Sequence, residues 1–171
     1  HEAAGEVVEV DEPGPVQPGD RVVVMPSNPC GSCPLCVSGD YIHCEHMQNF
    51  AAVHGSKEGS ATVAEYLLKP GWLLPRIPDG VSYEHASMAC CGLGPSYGAF
   101  RVLNAKEGET ALITGAGPVG TGALIVARFL GLRPIMAEPS AIRRDRALSM
   151  GADAVVDPSH NDAVAQVREL T

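Results

Sequence analysis

Hydrophobic positions follow two different rhythms along the 171 residues. Up to about residue 90 they come in short runs of β-type composition: "GEVVEV" at 5–10, "DRVVVMP" at 20–26 and "TVAEYLL" at 62–68. Pro- and Gly-rich punctuation such as "DEPGPVQPGD" and "GSKEGS" separates them, so this half predicts an irregular, mostly β domain with long loops. From about residue 94 the spacing changes. "PSYGAFRVLNA" predicts a helix, "TALITG" a strand, and the stretch through "ALIVARFL" a second helix. "RPIMAEP" and "ADAVVDP" predict two more strands, with the helix "SAIRRDRALSMG", closed by Gly151, between them. "NDAVAQVREL" predicts a last helix. Alternation of strand and helix is the pattern of a parallel sheet, and three strands make half of a doubly wound one. The expected fold class is α/β with a β-rich part.

Composition narrows the function classes. The formal net charge is −8, and the densest basic run, "IRRDR", carries its own Asp145. Such a surface repels phosphate backbones, so nucleic acid is not expected as a partner. No apolar run approaches the roughly 18 residues that span a bilayer, and "GALIVARFLGL" is broken by Arg128. No membrane partner is therefore expected, and a cytoplasmic location is expected from clustered thiols without an export signal, which point to metal and a reducing compartment.

The six cysteines are unevenly placed. Cys30, Cys33, Cys36 and Cys44 fall within residues 30–44, and Cys90 adjoins Cys91. Two chained C-x-x-C steps, with a loop returning the fourth thiol, let four sulfurs converge on one ion. Four thiolates around Zn²⁺ close a tetrahedron and leave no open position, which defines a structural site. Its binding energy would order a loop that has little apolar material. His43 and His46 flank Cys44, but four thiols already fill the shell, so both read as solvated loop residues.

"LITGAGPVGTGAL" contains G-x-G-x-x-G at Gly115, Gly117 and Gly120, after an apolar strand and at the head of a helix. In this context Gly115 makes the tight turn, Gly117 admits a pyrophosphate and Gly120 allows close helix–strand packing. The candidate cofactor-binding set is Gly115, Gly117, Pro118, Val119 and Gly120. Glu138, at the end of the next strand, is placed to accept hydrogen bonds from adenosine ribose hydroxyls. Its charge favours NAD over NADP. Arg143 and Arg144 pull the other way, because a guanidinium can receive a 2′-phosphate; Arg143 joins the candidate set.

Taken together, these motifs resemble the zinc-containing medium-chain alcohol dehydrogenases. "HEAAGEVVEV" matches that family's Gly-His-Glu signature except for its first glycine. "PGDRVVV", "CGSCPLCVSGDYIHC", "ATVAEYLLKP" and "GAGPVG" follow in the family's order, so the resemblance runs from residue 1 to about 157. It implies a partial GroES-like catalytic domain over 1–92, with a structural zinc loop at 28–46. The first half of a Rossmann doubly wound parallel sheet would follow over 93–171. It also implies a second, catalytic zinc held by His1, by Glu2 as an exchangeable neighbour, and by Cys91, with Cys90 as the alternative. The activity implied is hydride transfer between an alcohol or polyol, or the matching aldehyde or ketone, and NAD(P). A full-length parent would be a homo-oligomer. An upstream cysteine and the family's proton relay would precede residue 1, so these residues alone are expected to be inactive. Two rival readings are a zinc-independent reductase of activated double bonds and a zinc-loop binding module without catalysis.

Overall fold

The computed structural model describes residues 2–55, 62–160 and 162–171. It divides into two units, His1–Cys90 and Cys91–Thr171.

In the first unit, β1 (Ala4–Glu6) and β2 (Arg21–Val23) pair antiparallel, with Gly5 opposite Val22. Neighbouring strand residues point to opposite faces. Val22 therefore joins a cluster with Val7 and Val16, while Val23 joins another with Ile77 and Ala86. Residues 73–76 run along β2: the Val23 amide donates to Pro75 and the Met25 amide to Leu73. Short helical pieces fill the rest, namely α1 (Pro34–Val37), α2 (Phe50–His54) and α3 (Tyr83–Ser87), with 3₁₀ turns at Tyr41–His43 and Gly71–Leu73. Arg21 fastens α3 from β2, with its guanidinium 4.5 Å from the Tyr83 ring and Nη2 donating to the Val81 carbonyl at 2.6 Å.

One expected strand does not form. "TVAEYLL" is irregular from Thr62 onward, and Thr62 itself takes a left-handed φ of 65°. Val63, Tyr66 and Leu68 are exposed, and no strand among the described residues pairs with this segment. β-composition orders a backbone only where a neighbour supplies the ladder.

The second unit follows the expected alternation. A π-helical turn at Ala89–Leu93 leads into α4 (Gly94–Val102). Then come β3 (Thr110–Thr114), α5 (Pro118–Phe129), β4 (Arg133–Ala137), α6 (Ala141–Ser149), β5 (Ala154–Val156) and α7 (Ala163–Glu169). The sheet order is β3–β4–β5 and both pairings are parallel, with Ile113 beside Met136 and Met136 beside Val155. Pro134, Ile135 and Met136 are consecutive and all buried, as expected of a central strand covered on both faces. Leu124 and Ala127 of α5, Ala147 of α6 and Phe100 of α4 pack with Ile113 and Met136 into one core.

Candidate metal centre and cofactor turn

The metal candidates are gathered by local turns. Cys33 is the N-cap of α1, Pro34 takes the first helical position and Cys36 lies one turn later, so both thiols face one side. The 3₁₀ turn at Tyr41–His43 delivers Cys44. The four sulfurs lie within 4.8 Å of one another, with Cys30 and Cys36 at 3.9 Å and Cys33 and Cys44 at 4.0 Å. A tetrahedron with Zn–S bonds of about 2.3 Å has edges of about 3.8 Å, so the donor set fits zinc. Backbone amides already face the sulfurs: Cys30 N–H donates to Cys44 Sγ at 3.2 Å and Cys33 N–H to Cys30 Sγ at 3.4 Å. The amides of Ser32 and Cys33 lower the Cys30 thiol to about 6, whereas burial pushes Cys36 up to about 12. A cation at the centre would bring all four to the thiolate form. His43 turns away from this cluster, with Nδ1 2.8 Å from Asp40, and His46 is exposed.

Three further residues seat the lobe, and none stood out in the sequence. The Asn28 carbonyl accepts the Gln48 amide at 2.9 Å, which closes the loop at its base. Lys69 Nζ donates to the Ser27 carbonyl at 3.0 Å and to the side-chain oxygen of Asn28, which is buried. Trp72 lies against Gly31 and meets the Tyr41 ring edge-on at 5.7 Å.

The glycine turn is built by the junction of β3 and α5. Gly115 continues the ladder by donating to the Ala137 carbonyl at 2.7 Å, then turns the chain with φ 85°. Gly117 is the N-cap of α5 and Pro118 its first residue. Nothing lies within 4 Å of where a Gly117 Cβ would stand, which leaves the helix amides open to an anion. A Cβ on Gly120 would collide with the Gly115 carbonyl oxygen and stand 2.9 Å from its carbon. Gly122, which the motif does not include, meets the Gly92 carbonyl just as closely. Pro118 and Val119 are exposed at the head of the helix.

Glu138 is 3% exposed, and both its carboxylate oxygens accept backbone amides. Oε2 takes Ala116 N–H at 2.7 Å and Oε1 takes Ser140 N–H at 2.9 Å. Those amides, followed by the charges of Arg143 and Arg144, hold the carboxyl below its ordinary value. Each oxygen keeps a second lone pair for a further donor. Arg143 is exposed on α6, while Arg144 is turned inward.

The remaining sequence candidates are placed as follows. Cys90 is half-buried in the first unit, its thiol 3.7 Å from the Val24 carbonyl and 3.8 Å from Met25 Sδ. Cys91 is half-buried in the π-helical turn, and Glu2 is exposed. His1 lies outside the described residues. Among the described residues, the four-thiol group is the one cluster of three or more ligand residues that can hold a metal. None of their helices is long and apolar enough to cross a membrane.

A thiol-rich GroES-like unit and the start of a Rossmann-type sheet therefore share one chain. Residues 1–79 match the family model of the alcohol dehydrogenase GroES-like domain, and residues 118–171 match that of zinc-binding dehydrogenases. An alcohol dehydrogenase of Geobacillus stearothermophilus is 34% identical over 174 residues, covering 99% of this chain and 49% of the relative. An L-threonine 3-dehydrogenase of Pyrococcus horikoshii is 35% identical over 176 residues, covering 100% and 48%. The crystal structure of an NAD-dependent alcohol dehydrogenase superposes with a TM-score of 0.83 at 28% identity, over 98% of this chain and 48% of that one. The chain belongs to the zinc-containing medium-chain alcohol dehydrogenase family. It spans about half the length of the curated relatives it matches.

Proposed function

We propose that these residues supply part of the catalytic domain (1–92) and the adenosine half of the cofactor domain (93–171) of a zinc-dependent oxidoreductase. The reaction is hydride transfer between an alcohol or polyol, or the matching aldehyde or ketone, and NAD in preference to NADP. The observation that carries the reading is Glu138, a buried carboxylate at the end of β4 bonded to the glycine turn at Ala116. That is where a ribose would be received, with the pyrophosphate at the N–H groups of Gly117, Val119 and Gly120; Pro118, which has no N–H, would set the first turn of the helix. The negative charge there discourages a 2′-phosphate.

Cys30, Cys33, Cys36 and Cys44 would hold a structural zinc, which suits a compartment that keeps thiols reduced, such as the cytoplasm. His1, Glu2 and Cys91 would face a catalytic zinc. The family resemblance favours Cys91 for that place, with Cys90 as the alternative. When bound, a zinc with an open position lowers the pKa of a substrate hydroxyl, and NAD accepts the hydride. The chain's own part would be to hold and orient: His1 and Cys91 would hold the metal, Glu2 would offer an exchangeable carboxylate, and Glu138 would anchor the cofactor's adenosine end. Turnover belongs to the full-length protein, as a dimer or tetramer, and these residues alone would not turn over.

In the full-length protein, His1→Ala is expected to abolish NAD-dependent oxidation of alcohols and polyols while the four-thiol zinc remains. Full turnover in that variant would falsify the catalytic-zinc assignment.

A further inference from the structure

Two side chains behind the cofactor turn have no part in the reading above, yet they grip the peptide that carries Glu138. Arg144 Nη1 lies 2.8 Å from the Glu138 carbonyl, 2.7 Å from the Pro139 carbonyl and 2.9 Å from Asp157 Oδ2. The two side chains are only 20% and 19% exposed. Asp157 is itself fixed by Ser159, whose amide donates at 3.0 Å and whose hydroxyl donates to the same oxygen. On the other side of the residue, the Glu138 amide donates to the Val156 carbonyl at 3.0 Å. The backbone of Glu138 is thus held at both ends, by β5 through its N–H and by Arg144 through its C=O. From that fixed peptide the carboxylate reaches Ala116 and Ser140.

The two adjacent arginines therefore differ in what they can offer. Arg143 is exposed and has no ion pair among the described residues. Arg144 has an acidic partner and two carbonyls, so its charge is matched and its donors are engaged. We propose that Arg144 and Asp157 form a positioning pair that sets the Glu138 carboxylate for the adenosine ribose, and that Arg144 is not a phosphate ligand. The proposal rests on the cofactor reading above for its ligand, and on the observed contacts for the pair itself.

Calorimetric titration of the chain with 5′-AMP and with adenosine 2′,5′-bisphosphate separates these roles. Arg144→Met and Asp157→Asn should each weaken AMP by roughly fivefold to tenfold, the scale of one ordinary net hydrogen bond, because the pair acts on the ligand through Glu138. The bisphosphate should weaken by the same factor. The double variant should be no worse than the weaker single, because the pair acts as one unit. In a Glu138→Ala background, Arg144→Met should cause no further loss. Arg144→Lys, which keeps the charge and a donor, should recover part of the affinity and shows that folding is not the cause. Selective loss of the bisphosphate, additive losses, or a full Arg144→Met effect without Glu138 would each overturn the proposal. Amide hydrogen exchange at Ala116 needs no nucleotide and should speed up in Arg144→Met; an unchanged rate also overturns it. If the parent chain bound neither nucleotide while Ala116 exchange still rose in the variant, the cofactor reading would fall and the pair would stand.

Discussion

Residues 28–48 and residues 110–120 both present backbone amides to a negative group, thiolate sulfur in one and the Glu138 carboxylate in the other. What holds those amides differs. The metal lobe has almost no core of its own: Pro29, Cys33 and Cys36 are its buried apolar residues, while Val37 and Ile42 are 79% and 73% exposed. Its shape depends on the sulfurs, on Asn28 closing the base, and on Lys69 and Trp72 seating it. The glycine turn instead stands on a continuous core from Phe100 to Ala152, with β3 and α5 packed closely enough that Gly120 touches Gly115. One site should respond to removal of a ligand, and the other to added volume.

The largest effect should come from Cys36→Ser. It removes a buried ligand whose thiol, pushed up to about 12 by burial, needs a cation to ionise. Zinc affinity should fall more than about 100-fold, since outer-shell partners alone account for about 10–100-fold. Trp72, the chain's one tryptophan, abuts Gly31 and reports the event by fluorescence. The second unit should keep its circular dichroism and its melting transition. A variant that retains zinc and unchanged emission would dissolve the contrast.

Gly120→Ala should act the other way. Its Cβ meets a backbone carbonyl that cannot step aside, so the second unit should lose about 3 kcal/mol, near the upper end of overpacking costs. Urea unfolding of that unit measures the loss, and metal analysis should show zinc retained. An unchanged urea midpoint would mean that helix and strand are not in contact there.

The smallest effect is a pH dependence confined to the second unit. Backbone amides of Ala116 and Ser140 hold Glu138 below its ordinary value near 4.5, and the Ser159 hydroxyl and amide hold Asp157 below 3.8. Depressed carboxylates stabilise the fold fully above those ordinary values. The stabilisation is lost as pH falls from there through the lower folded values. Acid titration should therefore loosen this unit below about pH 4.5, and Glu138→Gln should flatten the response while lowering stability at neutral pH. An acid transition identical in the variant would remove Glu138 from the account.

By itself the sequence determined whatever a short stretch of chain can impose. The four thiols converge because C-x-x-C spacing and one helical turn are local geometry. The alternation from β3 to α7 formed because each helix and strand carries its own period, and the glycine turn formed because Gly115 takes a left-handed φ and Gly120 leaves no room for a Cβ. Tertiary structure decided the rest. "TVAEYLL" has strand composition but finds no partner among the described residues. Lys69 reaches Asn28 across 41 positions, a contact that spacing does not encode. Arg143 and Arg144 are neighbours of identical chemistry, and only the end of β5, bringing Asp157 alongside, turns one inward and leaves the other exposed. Backbone preference is written between adjacent residues, whereas the partner of a side chain depends on which distant segment the fold delivers to it.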